Sequence, residues 1–140
     1  MKINKQISFL IIILFAGFIM VSCGSSEDKI PGSWIAESVT PAIDSSLASP
    51  SDLAKIEHAI NSQKTIKFTL NEDHSMSLNI DAYVSEAIWT FNDEDNMVTF
   101  RFKESSVGDD IELGEYKKRK IVYTSEVIHG TLTTIYVKAE

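Results

Sequence analysis

Three hydrophobic rhythms succeed one another along the chain. The first is a nearly continuous apolar run from Ile7 to Val21, interrupted by Ser8 and Gly17 alone and preceded by Lys2 and Lys5 with no acid. The second is helical: Leu53, Ile56 and Ile60 stand at i, i+3 and i+7 behind Ser49-Pro50-Ser51-Asp52. That prefix puts a Ser at the N-cap, a Pro at the first helical position and an acid at the third, which predicts a helix from Pro50 to near Gln63. The third rhythm has period two. Ile66, Phe68 and Leu70 alternate with polar neighbours, as do Met76, Leu78 and Ile80, then Ala87, Trp89 and Phe91, then Val98, Phe100 and Phe102. Asn71-Glu72-Asp73-His74 and Asn92-Asp93-Glu94-Asp95-Asn96 read as turns between these runs. After a polar stretch, Lys103–Asp110, further strands fall near 111–117, 120–127 and 131–138, with His129-Gly130 turning the last pair. With Ser33–Val39 ahead of the helix, the pattern holds eight strands and one short helix between the first and second. Short strands joined mostly by tight turns predict an all-β fold, mostly an eight-stranded antiparallel up-and-down barrel, with a two-sheet sandwich as the rival.

The first run is too short to cross a bilayer comfortably, since a spanning helix takes about 20 apolar residues. It has the length and basic flank of a secretory signal. Met20-Val21-Ser22-Cys23 ends it, and Cys23 is the only cysteine in the chain. The arrangement resembles the lipobox of bacterial lipoproteins, with Met20 where Leu is usual. The resemblance implies cleavage before Cys23 and acylation of its sulfur, which also accounts for an unpaired thiol in an exported chain. Gly24-Ser25-Ser26-Glu27-Asp28 resembles the acidic export signal of Bacteroidetes lipoproteins. The implied localisation is the outer membrane, lipid-anchored, with display at the cell surface. Three segments follow: a signal peptide over 1–22, the lipidated Cys and a polar tether over 23–30, and one folded domain over 31–140.

Removing residues 1–22 leaves 118 residues with 11 Lys and Arg against 20 Asp and Glu, a formal charge of −9. A chain of this length forms one domain. So acidic a surface argues against nucleic acid, which requires a basic footprint.

Within the folded part, Pro31-Gly32-Ser33-Trp34 resembles the Gly-x-Trp start of lipocalin-like domains. Phe68-Thr69-Leu70-Asn71-Glu72-Asp73-His74-Ser75 resembles their Phe-containing hairpin, with Asp73-His74-Ser75 in place of the usual Asp-Gly-Thr. Ile88-Trp89-Thr90-Phe91 stands where these domains often carry another Trp. The likeness spans about residues 31–138 and implies a lipocalin-like barrel.

Candidate chemistry is sparse. No Gly-x-Ser-x-Gly elbow accompanies the abundant Ser, and His58, His74 and His129 are scattered over the helix and two turns. A non-catalytic protein is expected, with hydrolysis as the weaker alternative. Asp93-Glu94-Asp95-Asn96 begins like a calcium loop, but Val98 occupies the position that needs Gly and already belongs to a strand, so a hairpin turn is expected and no metal or cofactor. Lys117-Lys118-Arg119-Lys120 reads as a solvated turn, falling at the same end of the barrel as the acidic turns and the tether. The helix then covers the opposite mouth.

The residues expected to face inward are Trp34, Ile66, Phe68, Leu70, Met76, Leu78, Ile80, Trp89, Phe91, Val98, Phe100 and Phe102; the last two strands are apolar on both faces. An eight-stranded interior is either filled by side chains or holds one small ligand. In the binding reading Leu53, Ile56 and Ile60 form a lid, while Phe68, Trp89, Phe91, Phe100 and Phe102 wall a narrow pocket for a small hydrophobic ligand. In the alternative reading the core is solid, and an envelope protein partner contacts Thr40–Ala48 or Lys103–Asp110.

Overall fold

A computed structural model describes residues 25–104 and 108–140. Cys23 and the segment read as a signal lie outside the described residues. The elements are β1 (Gly32–Ile43), α1 (Pro50–Thr65), β2 (Lys67–Leu70), β3 (Ser75–Ile80), β4 (Tyr83–Asn92), β5 (Met97–Phe102), β6 (Ile111–Lys117), β7 (Lys120–Val127) and β8 (Gly130–Lys138). Each strand pairs antiparallel with its neighbours, and β8 returns to β1, closing an eight-stranded barrel with a single helix between β1 and β2. This is the architecture the alternation predicts, and the sandwich is excluded.

Local chemistry explains where the elements begin and end. Ser49 caps α1 by accepting from the Asp52 amide at 3.2 Å, while the Asp52 carboxylate accepts from the Ser49 amide at 3.0 Å. The helix runs two residues past Gln63, to Thr65, before Ile66 turns extended. β1 is longer than the expected Ser33–Val39 and takes in Thr40–Ile43, Pro41 included. Pro41 is tolerated there because it pairs with Leu132 at a position that makes no ladder hydrogen bond to β8, as the strand register and the two-residue β7–β8 turn require. Its missing N–H therefore faces the side where β2 has already ended, since β1 pairs with β2 only through Ile35. β4 likewise starts at Tyr83, four residues ahead of the apolar alternation at Ala87, because Tyr83–Glu86 pair with Ser77–Ile80 in a hairpin.

The start of β1 and the β2–β3, β4–β5 and β6–β7 turns share one end, the N-terminal end. Helix α1 and the other connections share the opposite, helix end. The N-terminal end is sealed. Glu27–Lys29 form a 3-10 turn, and Ile30 and Trp34 are both fully buried. The Trp34 indole N–H donates to the Ile30 carbonyl at 3.0 Å. Its ring stacks on Phe68 and meets Tyr116 edge-on, each at 6.3 Å between centroids. Within the stretch read as a polar tether, Glu27–Lys29 thus form a 3-10 turn and Ile30 is a core residue.

Most of the expected interior faces inward: Trp34, Phe68, Leu70, Met76, Leu78, Trp89, Val98 and Phe100 are buried. Ile66, Phe91 and Phe102 are half-buried and pack against that cluster. Ile80 departs from the expectation, standing 40% exposed at the end of β3 beside the hairpin tip. On the two strands apolar on both faces, Ile121, Leu132, Thr134 and Tyr136 take the inside.

One irregularity shapes the wall. Between Val98↔Gly114 and Thr99↔Glu112 the β5–β6 register shifts, leaving Leu113 as an extra residue. Gly114 holds φ +137°, and a Cβ there would lie 2.6 Å from the Val122 carbonyl oxygen. A side chain at this position forces the β6–β7 ladder apart. The Gly114→Ala protein is therefore expected to lose roughly 1–3 kcal/mol. Urea unfolding checks this: the midpoint should fall at constant slope, and an unchanged midpoint contradicts the account.

Candidate functional site

The barrel is packed toward the N-terminal end and loosens toward the helix end. The difference begins with Gln63. It continues the stripe Leu53, Ile56, Ile60 at i+10, so the last turn of α1 directs a polar side chain where the earlier turns direct aliphatic ones. Its Oε1 accepts from the Tyr136 hydroxyl at 3.2 Å and, at 3.4 Å, from the hydroxyl of Thr134, a fully buried side chain. Burial pushes the Tyr136 phenol up to about 12. The end of the helix is in this way fastened to β8 by hydrogen bonds rather than by apolar packing.

Beside this fastening lies a cavity of about 170 Å³, walled by Ile66, Leu78, Phe100, Leu113, Tyr123 and Tyr136, with Gln63, Ile80, Ile111 and Glu112 around its rim. Its position follows from the wall. β6 pairs with β7 only from Glu115↔Val122 to Lys117↔Lys120, so above the bulge the two strands diverge. The space opens where they part. Tyr136 also lies edge-on to Phe68 at 5.0 Å, which makes the aromatic core the cavity floor.

Of the eight residues assigned to a pocket from the alternation and helix pattern, Phe100 alone lines this cavity. Phe68 and Trp89 are buried at 1% exposure in the packed core, and Phe91 and Phe102 flank it. Ile56 is buried, Ile60 half-buried, and Leu53 is 47% exposed. Gln63, Leu113, Tyr123 and Tyr136 were missed. Gln63 carried a signal, being the polar residue that extends an apolar helical stripe. Tyr123 and Tyr136 carried none that separates the faces of their strands.

The N-terminal end offers different surfaces. Its turns are stiffened from within: Asp73 accepts from the Ser75 amide at 2.9 Å and the Ser75 hydroxyl at 2.6 Å, and these bonds hold its carboxyl below the ordinary range. His74 takes φ 64°, the left-handed geometry a Gly would supply, and its ring packs 4.9 Å from Trp89. A polar depression of about 410 Å³ lies there between Glu27, Asp28, Pro31, Glu72, His74 and Trp89. The Asp93–Asn96 segment is a turn closed by its own side chains, with Asn92 accepting from the Glu94 amide and Asp95 from the Met97 amide, both at 3.0 Å. Among the described residues, no group of three or more His, Asp or Glu is placed to hold a metal ion. The basic run forms the β6–β7 turn, where Lys120 pairs with Glu37 at 2.6 Å. Lys138 donates to the Pro31 carbonyl at 2.7 Å, and burial pulls its pKa down.

No family model and no curated relative matches the chain. Among solved structures, a DUF4847 family protein from Bacteroides vulgatus ATCC 8482 superposes with a TM-score of 0.43 at 11% identity, over 78% of this chain and 93% of that one.

Two outcomes test the Gln63 fastening. Gln63→Leu removes the acceptor from two hydroxyls, one of them fully buried, and should cost about 1–3 kcal/mol. Adding Thr134→Val should recover part of that loss, because both partners are then apolar; a purely additive double mutant contradicts the bond. The Tyr136 phenol ionises higher in the folded chain than the ordinary 10.0, so its contribution is present below pH 10 and is lost as pH rises toward 12. In Tyr136→Phe, stability should fall less steeply across that window, and phenolate absorbance should lose its latest-titrating component.

Proposed function

We propose that this chain is a membrane-anchored, lipocalin-like lipoprotein of the outer membrane, non-catalytic, which holds a small hydrophobic ligand in the cavity beneath Gln63. The cavity carries the ligand half of this reading. Its wall is mostly aliphatic and aromatic, with Gln63 and Glu112 as the polar residues beside it, a composition typical of small-molecule sites. Its volume decides the ligand size. An apolar cavity of about 150 Å³ takes a molecule as large as benzene, whereas drug-sized ligands occupy roughly 300–1,000 Å³. At about 170 Å³, a single ring or the last few carbons of an alkyl chain fits, and a whole lipid does not.

The anchor half rests on Cys23 and its surroundings in the sequence. The observation favouring a second reading, an interaction or structural role with a solid core, is the packing of the lower barrel, where Trp34, Phe68, Leu70, Met76, Trp89 and Val98 are at most 2% exposed.

Ile66 lies at the cavity wall and is half-buried, so a larger side chain there occupies the cavity without entering the closed core. Toluene should bind the parent by isothermal titration calorimetry, and Ile66→Trp should weaken that binding at least tenfold with the fold intact by circular dichroism. Equal toluene binding by both proteins refutes the ligand site. For the anchor, Cys23→Ser should move the chain from the membrane to the soluble fraction and abolish incorporation of labelled palmitate. Retention of the label by the Ser variant refutes lipidation.

A further inference from the structure

The barrel is closed at its waist but not along its whole height. β7 runs from Lys120 to Val127 and pairs with β8 throughout, from Ile121↔Tyr136 to Val127↔Gly130. On its other side it pairs with β6 only as far as Val122. Among the described residues, nothing pairs with Tyr123–Val127 on that side. The register identifies which backbone groups are left over. Ile128-His129 is a two-residue turn, so Val127↔Gly130 is a hydrogen-bonded pair, and bonded pairs recur at every second residue. Tyr123, Ser125 and Val127 thus bond to β8, while Thr124 and Glu126 direct their N–H and C=O groups outward toward the gap. Both residues are exposed.

Other strands also outrun their neighbours at this end, and the contrast is informative. β1 outruns β2 from Ala36 onward, but α1 packs against β1 and covers it. β4 outruns β5 over only Tyr83–Ser85, because the Lys103 amide still bonds the Glu86 carbonyl at 3.3 Å and the Lys103 ammonium pairs with the Glu86 carboxylate at 2.9 Å. Among the described residues, the β7 edge has neither a helix over it nor a bond that shortens it.

We propose that the β7 edge at Thr124–Glu126 accepts an extended peptide segment of a partner protein as an added strand. Two donors and two acceptors at strand spacing are matched by another peptide backbone and by no membrane or small apolar molecule. Charge narrows the partner. Glu126 lies on the edge and Glu112 on the facing β6 strand, both exposed, so the fitting segment carries Lys or Arg at its outward positions. The edge is continuous with the cavity, since Tyr123 belongs to both. A docked strand would lie beside the mouth, where a bound ligand enters and leaves. The edge exists whether or not the cavity binds anything, so the two readings fail separately.

The probe is the acetylated and amidated peptide Lys-Val-Thr-Val-Lys, titrated into the full chain in detergent and followed by residue-resolved amide hydrogen exchange. In the free protein, the amides of Thr124 and Glu126 should exchange at least tenfold faster than those of Tyr123 and Ser125. Saturating peptide should slow Thr124 and Glu126 and leave their neighbours unchanged. The same peptide N-methylated on both Val residues should bind at least tenfold more weakly. Thr124→Pro should also lose binding while folding normally, because the N–H it removes faces the gap. Equal protection of all these amides in the free chain overturns the proposal, whether the cover is its own loop or a second copy detected by sedimentation. Undiminished binding of the methylated peptide, or by Thr124→Pro, also overturns it, as does a failure of the plain peptide to protect Thr124 and Glu126.

Discussion

The indole of Trp34 determines what the rest of this barrel does. A closed eight-stranded sheet has an interior just wide enough for side chains or one small molecule, and the first large residue to enter it decides which. Trp34 is fully buried and enters at the N-terminal end, held by its bond to the Ile30 carbonyl and by contacts with Phe68 and Tyr116. The Lys138 ammonium lies 5.7 Å from its ring. Side chains this large each contribute roughly 1.5–3 kcal/mol on burial, so the sealed end is where much of the stability resides. Among the described residues, no comparable side chain plugs the other end. The helix covers part of it, and Gln63 replaces an aliphatic contact with hydrogen bonds to Thr134 and Tyr136. One end of the cylinder is therefore structural, and the other is free to vary.

The looseness at the helix end also comes from strands of unequal height. β1, β7 and β8 rise together above β2, β5 and β6, and the Leu113 bulge bends β6 out of its ladder with β7. Closure normally removes the edges that make sheets prone to association. Here closure lapses locally, and α1 restores cover on the β1 side. Glu112 and Glu126 flank the side that no described residue covers, and such charges discourage indiscriminate pairing while leaving a basic strand admissible.

Much of this was legible in the sequence because period two and the capping prefix are local signals. Eight strands, their order and a helix starting at Pro50 follow from alternation and from Ser49-Pro50-Ser51-Asp52. The inward residues of β2, β3 and β5 were legible for the same reason, up to Ile80 at the strand end. What escaped was set by pairing between distant residues. Whether Pro41 stops a strand depends on β2 ending early, not on Pro41. The cavity depends on where β6 leaves β7, and Gly114 in the sequence marks a weak strand as readily as a bulge. The β2–β3 hairpin was a partial case: its sequence offers His74 where a turn of this kind usually takes Gly, and His74 supplies the left-handed backbone itself.

The arrangement bears on how a ligand would reach the cavity if Cys23 carries the anchor. Glu27–Lys29 form a 3-10 turn and Ile30 is buried in the core, so an anchor at Cys23 would attach at the Trp34 end of the barrel and hold that end toward the headgroups. Strands rising about 3.3 Å per residue at the usual barrel tilt put the mouth roughly 15–30 Å beyond. An amphiphile in the anchoring leaflet then has no direct path to the cavity beneath Gln63. A ligand must arrive through solvent or from a protein docked at the far end, and the uncovered β7 edge stands at that end. The geometry thus couples the two proposals in space without making either depend on the other.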